Sequence, residues 1–295
     1  KICFTFAINC AKIFINMIRG PVRSRLPEKI VEAAQALVSE GYKEIVLTGI
    51  HLGLYGTDLR PQIDLSVPLR LLEDIQGLER IRLSSLDPAE ITPEILELMA
   101  TSNKICSHLH ISLQSGSTKI LQRMRRPYTA QEFLELVTRI RQAMPDVGLT
   151  SDIIVGFPGE TEEDFECTMQ VVKAAAFSRL HVFPYSPRPG TPAADFPEQV
   201  AAQVKEERSR RLISLGHRLA LDFHRRHLGQ QLSVLVEEER EEGLLVGYSD
   251  NYIRTRFSGD DKLVNEIVPV VVTSVAKDHV CGEQKQEFLT KKRKE

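Results

Sequence analysis

Two hydrophobic periods alternate along the first two thirds of the chain. Between Pro27 and Gly41, apolar side chains recur three and four positions apart, which predicts an amphipathic helix. The next apolar run, KEIVLTG at residues 43–49, is short and bounded by turn residues, which predicts a buried strand. Similar pairs of helices and strands continue to about residue 197. Further strands are predicted at RIRLSSL (80–86), HLHISLQ (108–114), VGLTSDIIVGF (147–157) and RLHVFPYS (179–186).

The starts of several helices carry capping signals. Thr129 with Glu132, and Thr161 with Asp164, each have the spacing of a capping box. Strands that alternate with amphipathic helices predict right-handed crossovers and a parallel sheet. A closed barrel of eight such units typically needs about 250 residues, so the chain up to residue 197 predicts an α/β fold with a partial barrel of about six units.

The last third of the chain has a different pattern. A long Arg-rich helix is predicted over residues 198–227, and short β-like segments separated by Gly, Asp and Asn follow it. Several short strands at this spacing predict a small all-β barrel. We therefore expect a first domain at 1–197, a connecting helix at 198–227, a small barrel at 228–290 and a basic tail at 291–295.

Composition limits the functions that the whole chain can have. A formal net charge of -2 excludes a whole-chain electrostatic attraction to nucleic acid, so any such binding would need a local basic patch. Five scattered cysteines argue against a disulfide framework and for a reducing compartment. The opening stretch, residues 1–20, contains Asn9, Lys12 and Asn16 and has no cleavage-site pattern, which argues against a signal or membrane anchor. We expect a cytoplasmic protein without membrane contact.

Candidate chemistry follows the strands. The segments TGIHLGLYG, SSLDP, QSGS, GFPGET and PYSPRPGTP come directly after predicted strands and are polar or glycine-rich. In a parallel barrel these loops share one rim, where ligands bind. GFPGET is also explained as a strand-to-helix turn.

Other single residues are ambiguous. His108 and His110 share a strand face and could bind a metal, but no neighbouring Cys, Asp or Glu completes a site in the sequence, which favours ordinary interior histidines. Cys106, Cys167 and Cys281 lack metal-ligand spacing and are interpreted as packing residues.

Six motifs carry a resemblance to a known family. They are RGPVRSR, EIVLTGIHLGLYG, IRLSSLDP, HLHISLQSGSTKILQRMRRPYT, DIIVGFPGETEEDF and HVFPYSPRPGTPA. In this order they resemble the radical SAM methylthiotransferases, and most closely the group that modifies threonylcarbamoyladenosine in tRNA (MtaB type, related to MiaB). The segment GLLVGYSDNYIRTRF resembles part of a TRAM domain, the small β-barrel with which these enzymes hold tRNA.

The resemblance implies a fold, cofactors and partners. It implies a partial (βα)6 TIM-like radical SAM barrel followed by a TRAM barrel, with S-adenosylmethionine and a 4Fe-4S cluster as cofactors. The implied partners are tRNA and an electron donor such as flavodoxin or ferredoxin, and the implied activity is methylthiolation of threonylcarbamoyladenosine next to the anticodon. Soft thiolates bind cluster iron and tune its potential. The residues that would contact S-adenosylmethionine are Thr48, Gly49, Ser84, Ser85, Gln114, Ser115, Asp152 and Gly156.

The opening stretch departs from the family. Counting back from Arg19 without gaps, the three cluster cysteines should fall at positions that hold Phe6, Cys10 and Ile13, so Cys10 alone remains as a metal ligand. This count also makes Lys1 and Ile2 the start of the first strand. A second register, with Cys3 and Cys10, would need a three-residue insertion.

We interpret residues 3–18 as a degenerate cluster loop that arose by a frameshift or gene decay. Relative to the family, the chain is interpreted as amino-terminally truncated. An intact reading frame in the resequenced coding DNA would refute the frameshift.

Two main functions remain open. The chain is either a tRNA methylthiotransferase or a barrel that binds S-adenosylmethionine and tRNA without radical chemistry, and the cysteine count favours the second. A different radical SAM enzyme is a weaker alternative. For RNA binding, the sequence suggests Tyr252, Arg254 and Arg256, together with the terminal KKRK. An ordinary exposed polar strand explains the first three residues equally well.

Overall fold

A computed structural model describes residues 10–14 and 22–285 of the chain. Its first part alternates strands and helices. The strands are β1 (Cys10–Phe14), β2 (Glu44–Thr48), β3 (Arg80–Leu83), β4 (His108–His110), β5 (Gly148–Val155) and β6 (Arg179–Pro184). The helices are α1 (Pro27–Ser39), α2 (Ser66–Glu73), α3 (Pro93–Thr101), α4 (Thr118–Arg123), α5 (Ala130–Ala143) and α6 (Glu162–Ala175).

The six strands form an open parallel barrel. β1, β2 and β3 make one three-stranded sheet, and β4, β5 and β6 make another. Single parallel bridges, Ile81 to Ile105 and Leu86 to Ile111, connect the two sheets. Among the described residues, no strand pairing joins β6 back to β1. This confirms the predicted partial TIM-like barrel.

The first described strand, β1, lies within the predicted cluster loop. Lys1 and Ile2 fall outside the described residues, and β1 occupies residues that were expected to form a loop. It pairs in parallel with β2, from Cys10 opposite Glu44 to Phe14 opposite Thr48. The prediction of a continuous loop over residues 3–18 is therefore wrong. Pairing in this position satisfies backbone groups along the edge of β2 that would otherwise lack a partner.

The helices cover the outside of the barrel as their patterns predict. α5 shows how the sequence specifies one of them. Thr129 and Glu132 form the predicted capping box, with the Thr129 backbone N–H donating to Glu132 Oε2 at 2.7 Å. One face then buries Phe133 and Ile140, and burial of a side chain of this size contributes about 1.5–3 kcal/mol. The cap fixes where the helix begins, and the apolar face fixes how it packs.

A long helix connects the barrel to a second unit. α7 (Ala202–Arg226) contributes Leu212 and Leu215 to the core of the first barrel and Phe223 to a separate second core. The second core lies inside a closed five-stranded barrel. Its strands are β7 (Gln231–Glu241), β8 (Leu244–Ser249), β9 (Arg254–Phe257), β10 (Ile267–Val275) and β11 (Val280–Gln284).

This C-terminal barrel packs against the amino ends of the parallel strands. Arg82 donates to the backbone oxygens of Asp250 and Ser249, at 3.0 and 3.1 Å. The Asn251 backbone oxygen lies only 2.1 Å from where a Cβ on Gly148 would stand, so only glycine fits at this position of β5. The C-terminal barrel thus closes the amino end of the first barrel.

Candidate functional site

A cavity of about 350 Å³ occupies the interior of the open barrel. Alternate residues of each strand face it, because successive side chains of a strand point to opposite sides. The size falls within the range of small-molecule sites. The walls carry Glu44, Val46, Thr48, Arg82, Leu83, Ser84, Ser85, His108, His110, Thr150, Asp152, Arg179, His181 and Phe183, and the C-terminal barrel adds Leu235, Glu237, Tyr248 and Tyr252.

Half of the residues predicted to contact S-adenosylmethionine line this cavity. They are Thr48, Ser84, Ser85 and Asp152. The hydroxyl oxygen of Ser84 is buried and has no hydrogen-bond partner in the protein. The same is true of Nδ1 of His108, on the neighbouring strand β4, which also lines the cavity. Buried polar atoms normally have a hydrogen-bond partner. Two such atoms without a partner, both in residues that line one cavity, are consistent with a polar ligand such as S-adenosylmethionine.

The other four predicted contact residues lie outside the cavity lining. These are Gly49, Gln114, Ser115 and Gly156. Ser115 Oγ lies 3.4 Å from Thr168 Oγ1 and is fully buried, and the Gly156 N–H donates to Glu160 Oε2 at 2.7 Å. In this structure both groups bind the protein itself.

The amino end of the cavity is held by a buried ion-pair network. Arg82 Nε donates to Glu44 Oε1 at 2.7 Å, and Arg80 Nη1 lies 3.7 Å from Glu44 Oε2. Burial alone raises the pKa of Glu44, but the two guanidinium groups outweigh it and hold the pKa below its ordinary value. Glu44 is therefore a carboxylate with its charge fully compensated.

A histidine and carboxylate cluster lies on one wall of the cavity. The possible ligand atoms of His110, Asp152 and His181 all lie within 4.8 Å of one another. His110 Nε2 is 3.4 Å from Asp152 Oδ2. Burial, and next the charge of Arg179, lower the pKa of His181. The interpretation that no carboxylate completes a site around the strand histidines is therefore wrong, because Asp152 lies beside His110.

Sequence reasoning missed the role of His181 in this cluster. The parallel register opposes Asp152 to His181 and His110 to Thr150, which brings the three side chains together from three strands. Each of these residues was visible in a predicted strand, but the register between strands is set by tertiary contacts. His108, the other predicted histidine, does not belong to the cluster.

Of the three cysteines whose side chains are described, none is grouped with another thiolate at the cavity. Cys106 is buried next to Glu44, with its Sγ 3.9 Å from Glu44 Oε2. Burial raises the pKa of this thiol to about 12. Cys167 is exposed on α6, and Cys281 belongs to β11. Cys10 is the first residue of β1, opposite Glu44 at the amino end of the sheet. The described residues therefore do not fit a 4Fe-4S cluster, which needs soft thiolates grouped around one site.

The predicted RNA contacts are occupied within the protein. Tyr252 does not lie on an exposed strand face, since its ring packs 5.0 Å from Tyr248 and 4.6 Å from His108, between ring centroids. Its backbone has a φ of 67°, which directs the side chain into the first barrel. This corrects its expected position for base stacking. Arg254 binds Glu241, and Arg256 Nη2 donates to Glu242 Oε2 at 2.6 Å.

None of the described helices is both long enough and apolar enough to cross a membrane.

Comparisons with known proteins agree with this architecture. Residues 3–172 match the Radical SAM superfamily. The chain is 45% identical over 267 residues to threonylcarbamoyladenosine tRNA methylthiotransferase MtaB of Bacillus subtilis (strain 168), covering 89% of this chain and 59% of that protein. It is 39% identical over 275 residues to the tRNA-2-methylthio-N(6)-dimethylallyladenosine synthase of Pelotomaculum thermopropionicum, covering 92% and 61%. The chain thus spans about three fifths of the length of these curated relatives.

A solved structure shows the same fold at low sequence identity. Coproporphyrinogen III oxidase (HemN) from Escherichia coli, described as a Radical SAM enzyme, superposes with a TM-score of 0.50 at 17% identity. The superposition covers 71% of this chain and 52% of that one. The match over residues 3–172 takes in more than half of the 295 residues and includes the first five strands of the open barrel. The chain belongs to the Radical SAM superfamily.

Proposed function

We propose that this chain is part of a tRNA methylthiotransferase of the type that acts on threonylcarbamoyladenosine. The observation that carries the proposal is 45% identity over 89% of the chain to a relative named for that activity. The similarity covers the first barrel and the C-terminal barrel together. Since tRNA is the substrate, the proposal includes a cytoplasmic location, and for the complete enzyme an electron donor such as flavodoxin or ferredoxin.

The cavity is the proposed site for S-adenosylmethionine. Thr48, Ser84, Ser85 and Asp152 would bind its polar groups, and the unsatisfied hydroxyl of Ser84 supports this assignment. When bound together with a cluster, this cofactor supplies radical chemistry in the family. The residues of this chain would bind and orient the cofactor and shield it from water.

For this polypeptide we propose binding without radical chemistry. The ungapped register leaves one cysteine, Cys10, where the family has three, and Cys106, Cys167 and Cys281 do not form a group of thiolates. Metal affinity depends on the number of ligands, so a single thiolate does not hold a 4Fe-4S cluster. Catalytic methylthiolation is the second candidate, and it requires cluster ligands from outside the described residues.

The C-terminal barrel is the proposed tRNA-binding unit, equivalent to a TRAM domain. Arg254 and Arg256 alternate along β9 on one face and are the proposed phosphate contacts. Both are paired with Glu241 or Glu242, so binding would exchange these carboxylates for phosphate groups. Tyr252 is not included, because its ring packs inside the cavity.

Filter binding of the full chain to unmodified tRNA, at several salt concentrations, tests this proposal. We expect binding without iron, with an affinity that falls steeply as salt rises because phosphate contacts release counterions. Replacing both Arg254 and Arg256 by Gln should reduce the salt slope by about two.

Replacing Arg225 by Gln is a matched control, because this exposed arginine is also paired with an acidic residue but lies on α7. Equal salt slopes for the double variant and wild type would refute the assigned contacts. Affinity for tRNA no greater than for an unrelated RNA would refute the proposed substrate.

A further inference from the structure

Three potential metal ligands converge in the cavity from three neighbouring strands. His110 comes from β4, Asp152 from β5 and His181 from β6, and their ligand atoms lie within 4.8 Å of one another. The 3.4 Å between His110 Nε2 and Asp152 Oδ2 is close to the separation of two ligands on one tetrahedral ion, given metal–ligand distances of about 2.1 Å. All three side chains are partly accessible, so an ion can reach them from the cavity.

A neighbouring hydroxyl orients one of the histidines. Thr150 Oγ1 lies 3.0 Å from His110 Nδ1 and 3.2 Å from His108 Nε2. One hydroxyl can accept a hydrogen bond from His110 Nδ1–H while donating to His108 Nε2. In that tautomer the lone pair of His110 is on Nε2, the atom 3.4 Å from Asp152 Oδ2. Metal-binding histidines normally have their second nitrogen hydrogen-bonded in this way.

One carboxylate within the cluster favours a cation. Asp152 supplies this charge directly beside the two imidazoles. Of the two arginines that line the cavity, Arg82 is paired with Glu44 at 2.7 Å, and Arg179 is exposed, where solvent screens its charge.

We propose that His110, Asp152 and His181 form a site for a single divalent transition-metal ion. Two imidazoles and one carboxylate are the donor set of mononuclear iron and zinc sites, and they leave coordination positions open for water or a ligand. This site requires neither tRNA nor a cluster, so it goes beyond the proposed function. It shares Asp152 with the proposed S-adenosylmethionine site, so metal binding is measured without that cofactor.

Titration of the metal-free full chain with Co²⁺ tests the site. We expect visible d–d absorption that saturates at one ion per chain and is lost on addition of Zn²⁺, which binds such ligands more tightly than Co²⁺. Asp152→Asn and His181→Asn should each weaken Co²⁺ binding by about a hundredfold or more. Thr150→Val, which removes the orienting hydroxyl, should weaken it by about tenfold.

The matched control is His51→Gln, since His51 is an exposed histidine that contacts Glu90 at 3.0 Å and lies outside the cavity. This variant should bind Co²⁺ with wild-type affinity, and circular dichroism should show that every variant tested is folded. His110→Asn should weaken Co²⁺ binding as well. If that variant does not fold, His181→Asn tests the site instead, because β6 is more exposed than β4.

Two outcomes would overturn the proposal. One is wild-type Co²⁺ affinity in His181→Asn and Asp152→Asn. The other is an intense thiolate-to-cobalt charge-transfer band, which would place the ion at a cysteine. Neither outcome bears on tRNA binding by the C-terminal barrel, which is measured without metal.

Discussion

Single polar atoms identify the cavity as a binding site. Ser84 Oγ and His108 Nδ1 are buried, belong to residues that line the cavity and have no partner within the protein. An unsatisfied buried polar group costs about 1–3 kcal/mol, a cost that a ligand can recover by hydrogen bonding. The two atoms therefore favour a polar ligand over an apolar one.

Ser84→Ala should separate ligand binding from stability. The hydroxyl makes no hydrogen bond in the protein, so the free energy of unfolding should stay the same or rise slightly. Loss of one hydrogen bond of about 0.5–1.5 kcal/mol should weaken S-adenosylmethionine binding by about 2- to 10-fold in isothermal titration calorimetry.

Ser39→Ala provides the control, because Ser39 is exposed and bonds only to the backbone of its own helix. Unchanged cofactor affinity in Ser84→Ala would show that the hydroxyl is not a ligand contact.

Sequence patterns identified some of the site residues and missed others for physical reasons. Asp152 was predictable because a carboxylate on a buried strand needs a partner. His181 was not, because its neighbours depend on the register between β5 and β6. Tyr252 was misplaced because its positive φ turns it out of the regular alternation of a strand.

At the scale of an element, α6 shows how a helix start joins two parts of the barrel. Thr161 and Asp164 form the predicted capping box, and Asp164 also accepts from Lys119 Nζ and Ser117 Oγ, both at 2.7 Å. Burial alone raises the pKa of Asp164, but the Lys119 bond, the Thr161 backbone N–H and the Ser117 hydroxyl lower it to about 2. One carboxylate thus caps α6 and binds it to the start of α4.

Asp164→Asn should therefore have a pH-dependent effect. The folded pKa lies below the unfolded value, so the charged carboxylate stabilises the fold above about pH 4 and this contribution disappears as the pH falls towards 2. Allowing for the exposed Lys119, we expect the variant to lose about 1–2 kcal/mol near neutral pH. Urea unfolding at a series of pH values should show the gap between variant and wild type narrowing on acidification.

The control is Asp222→Asn, which removes an exposed carboxylate paired with Arg225 on α7. Its effect should be below about 0.5 kcal/mol at every pH. A gap for Asp164→Asn that does not change with pH would contradict the assigned role of the charge.

Most of the regular elements follow from sequence periodicity, but three do not. α2 contains Pro68 within its first turn and is short, so its pattern resembles a loop. β11 follows β10 closely and pairs in parallel with β9, a contact that local sequence does not encode. β1 lies where a cluster loop was predicted, and its pairing with β2 is a tertiary contact that the local sequence does not show.

At the scale of the whole molecule, the C-terminal barrel completes the first barrel. Arg82 links the two, since it binds Glu44 within the first barrel and the Asp250 and Ser249 backbone oxygens of the second. Its guanidinium also lies 4.8 Å from the centre of the Tyr252 ring. The amino end of the cavity therefore depends on both units.

Arg82→Met should destabilise the whole molecule. Removing the arginine leaves the buried Glu44 charge with Arg80 as its remaining ion-pair partner, at 3.7 Å, and removes one donor from each of the Asp250 and Ser249 backbone oxygens. We expect a loss of about 3 kcal/mol in the free energy of unfolding, measured with urea. Lys29→Met breaks an exposed pair with Glu32 and should cost less than about 0.5 kcal/mol. Equal effects would contradict the linking role of Arg82.

Anaerobic reconstitution of the full chain with iron and sulfide tests the central claim, a radical SAM fold that binds its ligands without a cluster. The readout is iron and acid-labile sulfide per chain, together with visible absorption. We predict no stable bound sulfide and at most about one iron per chain, the latter at the site of His110, Asp152 and His181. About four iron and four sulfide per chain, retained on gel filtration, would contradict the account.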